Sequence, residues 1–223
     1  MISRLCGTGL LTCIGLWSGA VAQPPKIIYT KFFKGSKPEF VSTTVETSGH
    51  CVFKEDPKDE NPLQFQLSEP ETREIFELAE KLEHFKHPVE SGLKVANMGM
   101  KTFRYENGSD AAEVKFNYSE DPNVKALADW FERITESEEH LLELDRTVHF
   151  DKLGVNDVLL QLQVTYDHKR LIAPQQFLPL LDRVVKNESY LHIARERAAG
   201  LAEAIRRNQG GPVADNPAEK SQP

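Results

Sequence analysis

Residues 100–119 read MKTFRYENGSDAAEVKFNYS, and this stretch decides the fold. Asn107-Gly108 is the strongest short-range hairpin signal, because a type I′ turn needs two residues at positive φ and this pair adopts them at least cost. The flanks alternate. Phe103 and Tyr105 share one face of the first strand, and Ala112, Val114, Phe116 and Tyr118 share one face of the second. A two-residue turn pairs Glu106 with Ser109, setting Phe103 opposite Ala112 and Lys101 opposite Val114. A four-residue loop, 107–110, keeps the same parity. Either even loop puts both apolar sets on one side, whereas an odd loop would send one set to water. The other face carries Thr102, Arg104, Glu113, Lys115 and Asn117 and is expected to be solvated. A hairpin alone is marginal in water, so the aromatic face needs a cover from elsewhere in the chain.

Two flanking helices are placed to provide it. Ser68-Glu-Pro-Glu71 is a capping box with proline in the first turn, where a missing N–H costs nothing. Ile75, Leu78, Ala79, Leu82 and Phe85 follow at helical spacing, and Pro88 and Gly92 end the helix. Downstream, Asp121-Pro122 pairs an N-cap with a first-turn proline. Val124, Leu127, Ala128, Phe131 and Ile134 form the stripe of that helix, with Trp130 at its edge. The pattern blurs over 135–140, where a bend or break is expected, and resumes at Leu141, Leu142 and Leu144.

Upstream, residues 26–34 (KIIYTKFFK), 40–47, 51–54 and 63–67 read as short strands, separated by Gly35–Pro38, Ser48-Gly49 and the acidic loop Asp56–Pro62. From Asp151 onward the chain reads as helices. Leu153, Val158, Leu159 and Leu162 mark one, to about His168. Leu180, Leu181, Val184 and Val185 mark the next. Residues 190–207 form the last, with Ser189 as cap and Leu191, Ala194, Ala198, Leu201, Ala202 and Ile205 inward. The expected class is α+β: an antiparallel sheet of about five to six short strands covered by helices, then a C-terminal group of about three helices. The expected division is a cleaved signal peptide over 1–22, an α+β domain over 23–146, a C-terminal helical region over 147–208 packed on it or forming a small bundle, and a disordered tail over 209–223.

The compartment follows from the first residues. Arg4, an apolar run from about Leu10 to Trp17 and Ala20-Val-Ala22 read as a signal peptide, its apolar run too short to span a bilayer. The mature chain would begin at Gln23 and be periplasmic or extracellular. A lipoprotein reading at Cys13 is weaker, since Thr12 is a poor predecessor and the apolar run continues past it. No other segment is apolar enough to cross a membrane. Cleavage leaves Cys51 as the single cysteine, so no internal disulfide forms and an exported domain must rely on its core. Asn107, Asn117 and Asn187 each begin a glycosylation sequon. The formal charge is −7, with 34 acidic against 27 basic side chains. An acidic chain without a basic cluster is a poor nucleic-acid binder.

His50-Cys51 sets a base beside a thiol, but strand neighbours point to opposite faces, so Cys51 reads as a buried small hydrophobe. His84 and His87, with Glu80 or Glu83, make at most a partial metal site; two histidines near a helix C-terminus are the simpler reading. The Asp56–Asn61 loop lacks calcium-loop spacing. Glu132, Glu136, Glu138, Glu139 and Glu143 read as a solvated helix face. Arg195, Arg197, Arg206 and Arg207 read as partners of Glu188, Glu196 or Glu203 or as helix-end charges. P-loop, dinucleotide and nucleophile-elbow motifs are absent. The expectation is therefore no catalytic, cofactor or metal residues and no cofactor. It favours a non-enzymatic exported binding or scaffolding module with a protein partner. The alternatives are a hydrolase assembled from distant residues, which requires a cleft holding two or more of His50, His84, His87 and His149 with a carboxylate, and an inhibitor-like module presenting a strand edge or loop.

Overall fold

A computed structural model describes residues 24–208. The signal-peptide and tail expectations fall outside them. Six antiparallel strands, β1 (Lys26–Phe32), β2 (Phe40–Glu46), β3 (His50–Lys54), β4 (Leu63–Gln66), β5 (Met100–Asn107) and β6 (Asp110–Phe116), form one sheet in the order β4-β3-β2-β1-β5-β6. The β2–β3 turn depends on Gly49, which sits at φ 81° and whose added Cβ would lie 2.9 Å from the Leu67 carbonyl. Helix α1 (Glu69–Lys81) occupies the β4–β5 connection, and α2 (Pro122–Phe150) follows the hairpin. Then come α3 (Val155–Asp167), α4 (Leu178–Lys186) and α5 (His192–Asn208). The class is α+β, with the helices of the last third following the sheet.

The hairpin forms with an even loop, in the register of the longer one. Asn107 pairs with Asp110, Phe103 faces Val114 and Lys101 faces Phe116, two residues on from the Phe103–Ala112 and Lys101–Val114 pairs expected of a tight Asn-Gly turn. Parity survives, so Phe103, Tyr105, Val114 and Phe116 are all buried. Phe103 is the centre of the sheet core. Its ring meets Phe116 at 5.1 Å, Phe85 at 5.3 Å, Tyr29 at 5.7 Å and Phe131 at 5.9 Å. Such aromatic contacts add to the burial of area itself.

α1 and α2 cover this inner face. Ser68 accepts from the Glu71 amide while Glu71 accepts from the Ser68 amide, the reciprocal box read from the sequence. The helix does not run to Phe85. Glu83, His84 and Phe85 take φ of 49°, 52° and 66°, a left-handed turn unusual for residues with a Cβ. The turn redirects the chain and drives Phe85 under Phe103. Asp121 caps α2 as expected. The break foreseen over 135–140 is absent: α2 runs unbroken for 29 residues. Trp130 is buried rather than marginal, its indole N–H donating to Glu74.

Two apolar cores result. One lies between the sheet, α1 and the first half of α2. The other gathers Leu144 and Val148 of α2 with α3, α4 and α5. Ala194, Ala198 and Ala202 are buried on α5, but Leu191, read as inward, lies half exposed just before that helix, which starts at His192 and not after Ser189. Polar groups fill the middle of α2. Ser137 Oγ accepts from the Ile172 amide, Glu138 accepts from Gln176, and Arg170 bonds Glu136 and Asp129. The residues that blurred the helical pattern hold the α3–α4 connection.

Candidate functional site

The strand alternation that builds the core reverses at one end of the sheet. The outward face is mostly polar: Thr30, Ser42 and Thr102 stand beside Arg104, which pairs with Glu106 and Glu113. At the end of β1, however, Phe32 lies opposite Phe40 on one side and Met100 on the other. Three large apolar side chains thus form a row on the open face, with Phe32 51% and Met100 47% exposed. Segment 86–99, which has no regular structure, adds Leu93, Val95 and Met98, all exposed. Phe32, Met100, Val95, Asn97, Asn117 and Lys34 line a cleft of about 360 Å³.

Asn117 fastens this segment. Its side chain donates to the Ala96 carbonyl and accepts from the Met98 amide at 2.7 Å, and its own amide donates to Glu90 at 2.6 Å. That amide, foremost among several, holds the Glu90 carboxyl below the usual carboxylate range. Gly99 closes the segment at φ 91°; a Cβ there would lie 3.0 Å from that of Phe33. The loop is therefore a set shape that presents apolar side chains to solvent.

On the inner face of the same end, the pattern is equally reversed. Lys31 and Lys101 stand directly opposite each other where the core would continue. Like charges so placed repel, and Glu132 of α2 reaches down to Lys31 at 3.7 Å. Lys101 is almost fully buried; its ammonium donates to the Asn117 carbonyl and lies over the Phe116 ring. Burial pulls its pKa down, against the attraction of Glu132. One pleat further in, Tyr29 is fully buried, stacked on Phe131 at 4.8 Å, and its hydroxyl has no hydrogen-bond partner in the protein. Burial first, then Glu132, pushes the phenol up. Tyr29, Lys31, Glu132, Thr135, Glu136 and Glu139 line a cavity of about 270 Å³. Burial, then the nearby Glu55 carboxylate, raises the Glu139 pKa.

Of the candidates named from the sequence, Glu132, Glu136 and Glu139 line this cavity and the others lie elsewhere. Cys51 is fully buried and its thiol donates to the Gly49 carbonyl; burial drives its pKa up, the reverse of what a nucleophile needs. His84 packs against Tyr105 at a tilt while His87 bonds Glu83. Among the described residues, no group of three or more His, Cys, Asp or Glu side chains could hold a metal ion. Asp56 and Asp59 are used by the backbone amides of their own loop. His149 bonds Asp145 and Arg183, and the cleft beside Phe32 and the cavity beside Tyr29 have no histidine in their walls. Arg206 pairs with Asp182 and Arg197 bonds Asn156 and Gln163, in place of the glutamates of their own helix. The acidic run is not one solvated face: Glu138 is fully buried, with one oxygen on Gln176 and the other unpartnered, and burial pushes its pKa up to about 7.

The apolar row and the paired lysines escaped the sequence reading. The available signal was KFFKG beside LKVANMGM, two lysine-flanked apolar runs, but pairing them required the β1–β5 register.

The molecule is thus an α+β protein with one open sheet face, helices on the other and a helical C-terminal group. No protein-family model matches the sequence, and no curated protein matches it. No helix among the described residues is long and apolar enough to cross a membrane.

Proposed function

We propose that this is an exported, non-enzymatic binding module of the cell envelope or extracellular space, which holds a protein partner on the apolar row Phe40–Phe32–Met100 and the adjoining segment 86–99. The observation that carries the reading is that row: large apolar side chains in register on a mostly polar sheet face, beside a hydrogen-bonded irregular segment. Exposed apolar surface of this kind marks interaction sites, and long irregular segments in compact domains are commonly functional. Met98 and Met100 add side chains that adapt to a partner's shape. Lys34 lines the cleft and Lys94 lies between Leu93 and Val95, so the partner segment that fits is apolar with flanking carboxylates.

The test uses labelled peptides with a Leu/Phe centre and either Glu or Lys flanks, titrated into the mature chain. The Glu-flanked peptide should bind at least tenfold tighter, lose affinity with salt, and lose at least tenfold on Phe32→Ser with unchanged circular dichroism. Equal binding of both peptides, or binding unaffected by Phe32→Ser, overturns the reading. Export is checked separately, by finding the chain outside the cytoplasm with Gln23 at its N-terminus.

A further inference from the structure

We propose that the cavity between the end of β6 and the start of α2 binds a small monocarboxylate with an apolar body, its carboxylate held by Lys101 and Lys125. The site lies on the inner side of the sheet and does not rest on the partner surface proposed above.

The cavity holds about 210 Å³, and its walls include Lys101, Phe116, Asn117, Val124, Lys125 and Ala128. Lys101 is the residue that points to a ligand. An ammonium carries three hydrogens, and its one hydrogen-bond partner among the described residues is the Asn117 carbonyl, at 3.3 Å. That carbonyl's residue and Phe116, whose ring centre lies 5.9 Å from the ammonium, both belong to the cavity wall, so the charged end stands at that wall. The residue keeps 6% of its surface open. A charge this deep with donors unmet is costly.

The surrounding charges select the sign of the ligand. Lys31 stands directly opposite Lys101, and like charges so placed repel. Glu132 is in the wall but pairs with Lys31, and Asp129, also in the wall, pairs with Arg170. Lys101 makes no ion pair among the described residues; Glu132 and Glu90 attract it from further off. Lys125 makes none either, and its ammonium lies over the Tyr118 ring. Both carboxylates of the wall are engaged while both lysines are free, which calls for an anion.

The rest of the wall selects the kind of anion. Met98, Phe116, Val124 and Ala128 are apolar, so a bare inorganic ion would leave most of the cavity unfilled. The wall has no arginine to grip a phosphate with two parallel bonds. The volume lies below that of sites for drug-sized molecules, which limits the ligand to one small ring or a short branched chain.

The test is calorimetric titration of the full mature chain with benzoate, against benzamide and benzylamine, at constant ionic strength in sodium chloride. Benzoate alone should give saturable heat and raise Tm. Lys101→Met should weaken binding at least tenfold while leaving Tm of the free protein equal or higher, because one of two facing lysines is gone. Lys125→Gln, at an exposed position, should weaken it severalfold and serves as second variant if Lys101→Met lowers stability. Phe32→Ser should leave benzoate binding unchanged, so a failed partner surface and a failed carboxylate site are distinguishable. Excess benzoate should not displace the Glu-flanked peptide; displacement would make the occupant a partner's own carboxylate and overturns the small-ligand assignment. Benzoate heat no greater than that of benzamide, or full affinity in both lysine variants, overturns the site.

Discussion

The two ends of the sheet obey opposite rules. Along most of β1, inward Ile27 and Tyr29 are buried and outward Thr30 faces water, as strand alternation requires. At its C-terminal end, inward Lys31 meets Lys101 while outward Phe32 meets Phe40 and Met100. The regular end is explained by folding. The reversed end is not: it places charge where burial is available and apolar surface where it is not. Departures of this kind are expected at functional positions, with the cost met by stability elsewhere. Both candidate surfaces fall at this end, one on each side of the same strands.

Four measurements test that contrast. The largest effect is expected at the regular part, where Phe103→Ala should cost about 3–5 kcal/mol in urea unfolding, since its ring anchors four others. A cost under about 1 kcal/mol would mean that the aromatic cluster is not the stabilising core.

Glu138 tests the polar middle of α2. Its folded pKa, about 7, lies above that of an exposed carboxylate, so the folded state binds the proton more tightly. Stability from this group is full at pH below about 4.5 and is lost as pH rises through about 7, by about 3 kcal/mol. Glu138→Gln should flatten that slope and be the more stable form at pH 8; a wild-type slope retained in the variant rejects the assignment.

Asn117→Ala removes the clip on segment 86–99. It should cost about 1–2 kcal/mol and speed amide exchange at Met98 without altering exchange in α5. The smallest stability effect belongs to the reversed end: Phe32→Ser should change unfolding by no more than about 0.5 kcal/mol, because half of the side chain is already in water. A cost like that of Phe103→Ala would make the row structural and remove its claim to be a binding surface.

The parts read correctly from the sequence were those governed by near neighbours. Ser68–Glu71 and Asp121-Pro122 cap their helices because the groups involved lie within three residues. The hairpin kept its parity because turn and strands are contiguous, while its exact pairs shifted by two residues because Asn-Gly permits more than one loop. Sites were a different matter. His50, Cys51, His84 and His87 attracted notice by chemistry and spacing, yet they are dispersed, buried or engaged with neighbours. Glu138 looked solvated because its own helix carries four other glutamates nearby; it is buried, and its one hydrogen bond comes from Gln176, 38 residues away.

By itself, then, the sequence determined the element types, the faces of the central hairpin, the starts of α1 and α2 and the α+β class, since backbone propensity, side-chain period and capping are local. The tertiary structure alone decided that α2 continues through its polar middle, that a left-handed turn brings Phe85 beneath Phe103, and that β1 and β5 lie side by side. That last pairing sets Lys31 against Lys101 and Phe32 against Met100 across roughly 70 residues of chain. A register between distant strands is fixed by the summed packing of the whole core, which no single stretch encodes.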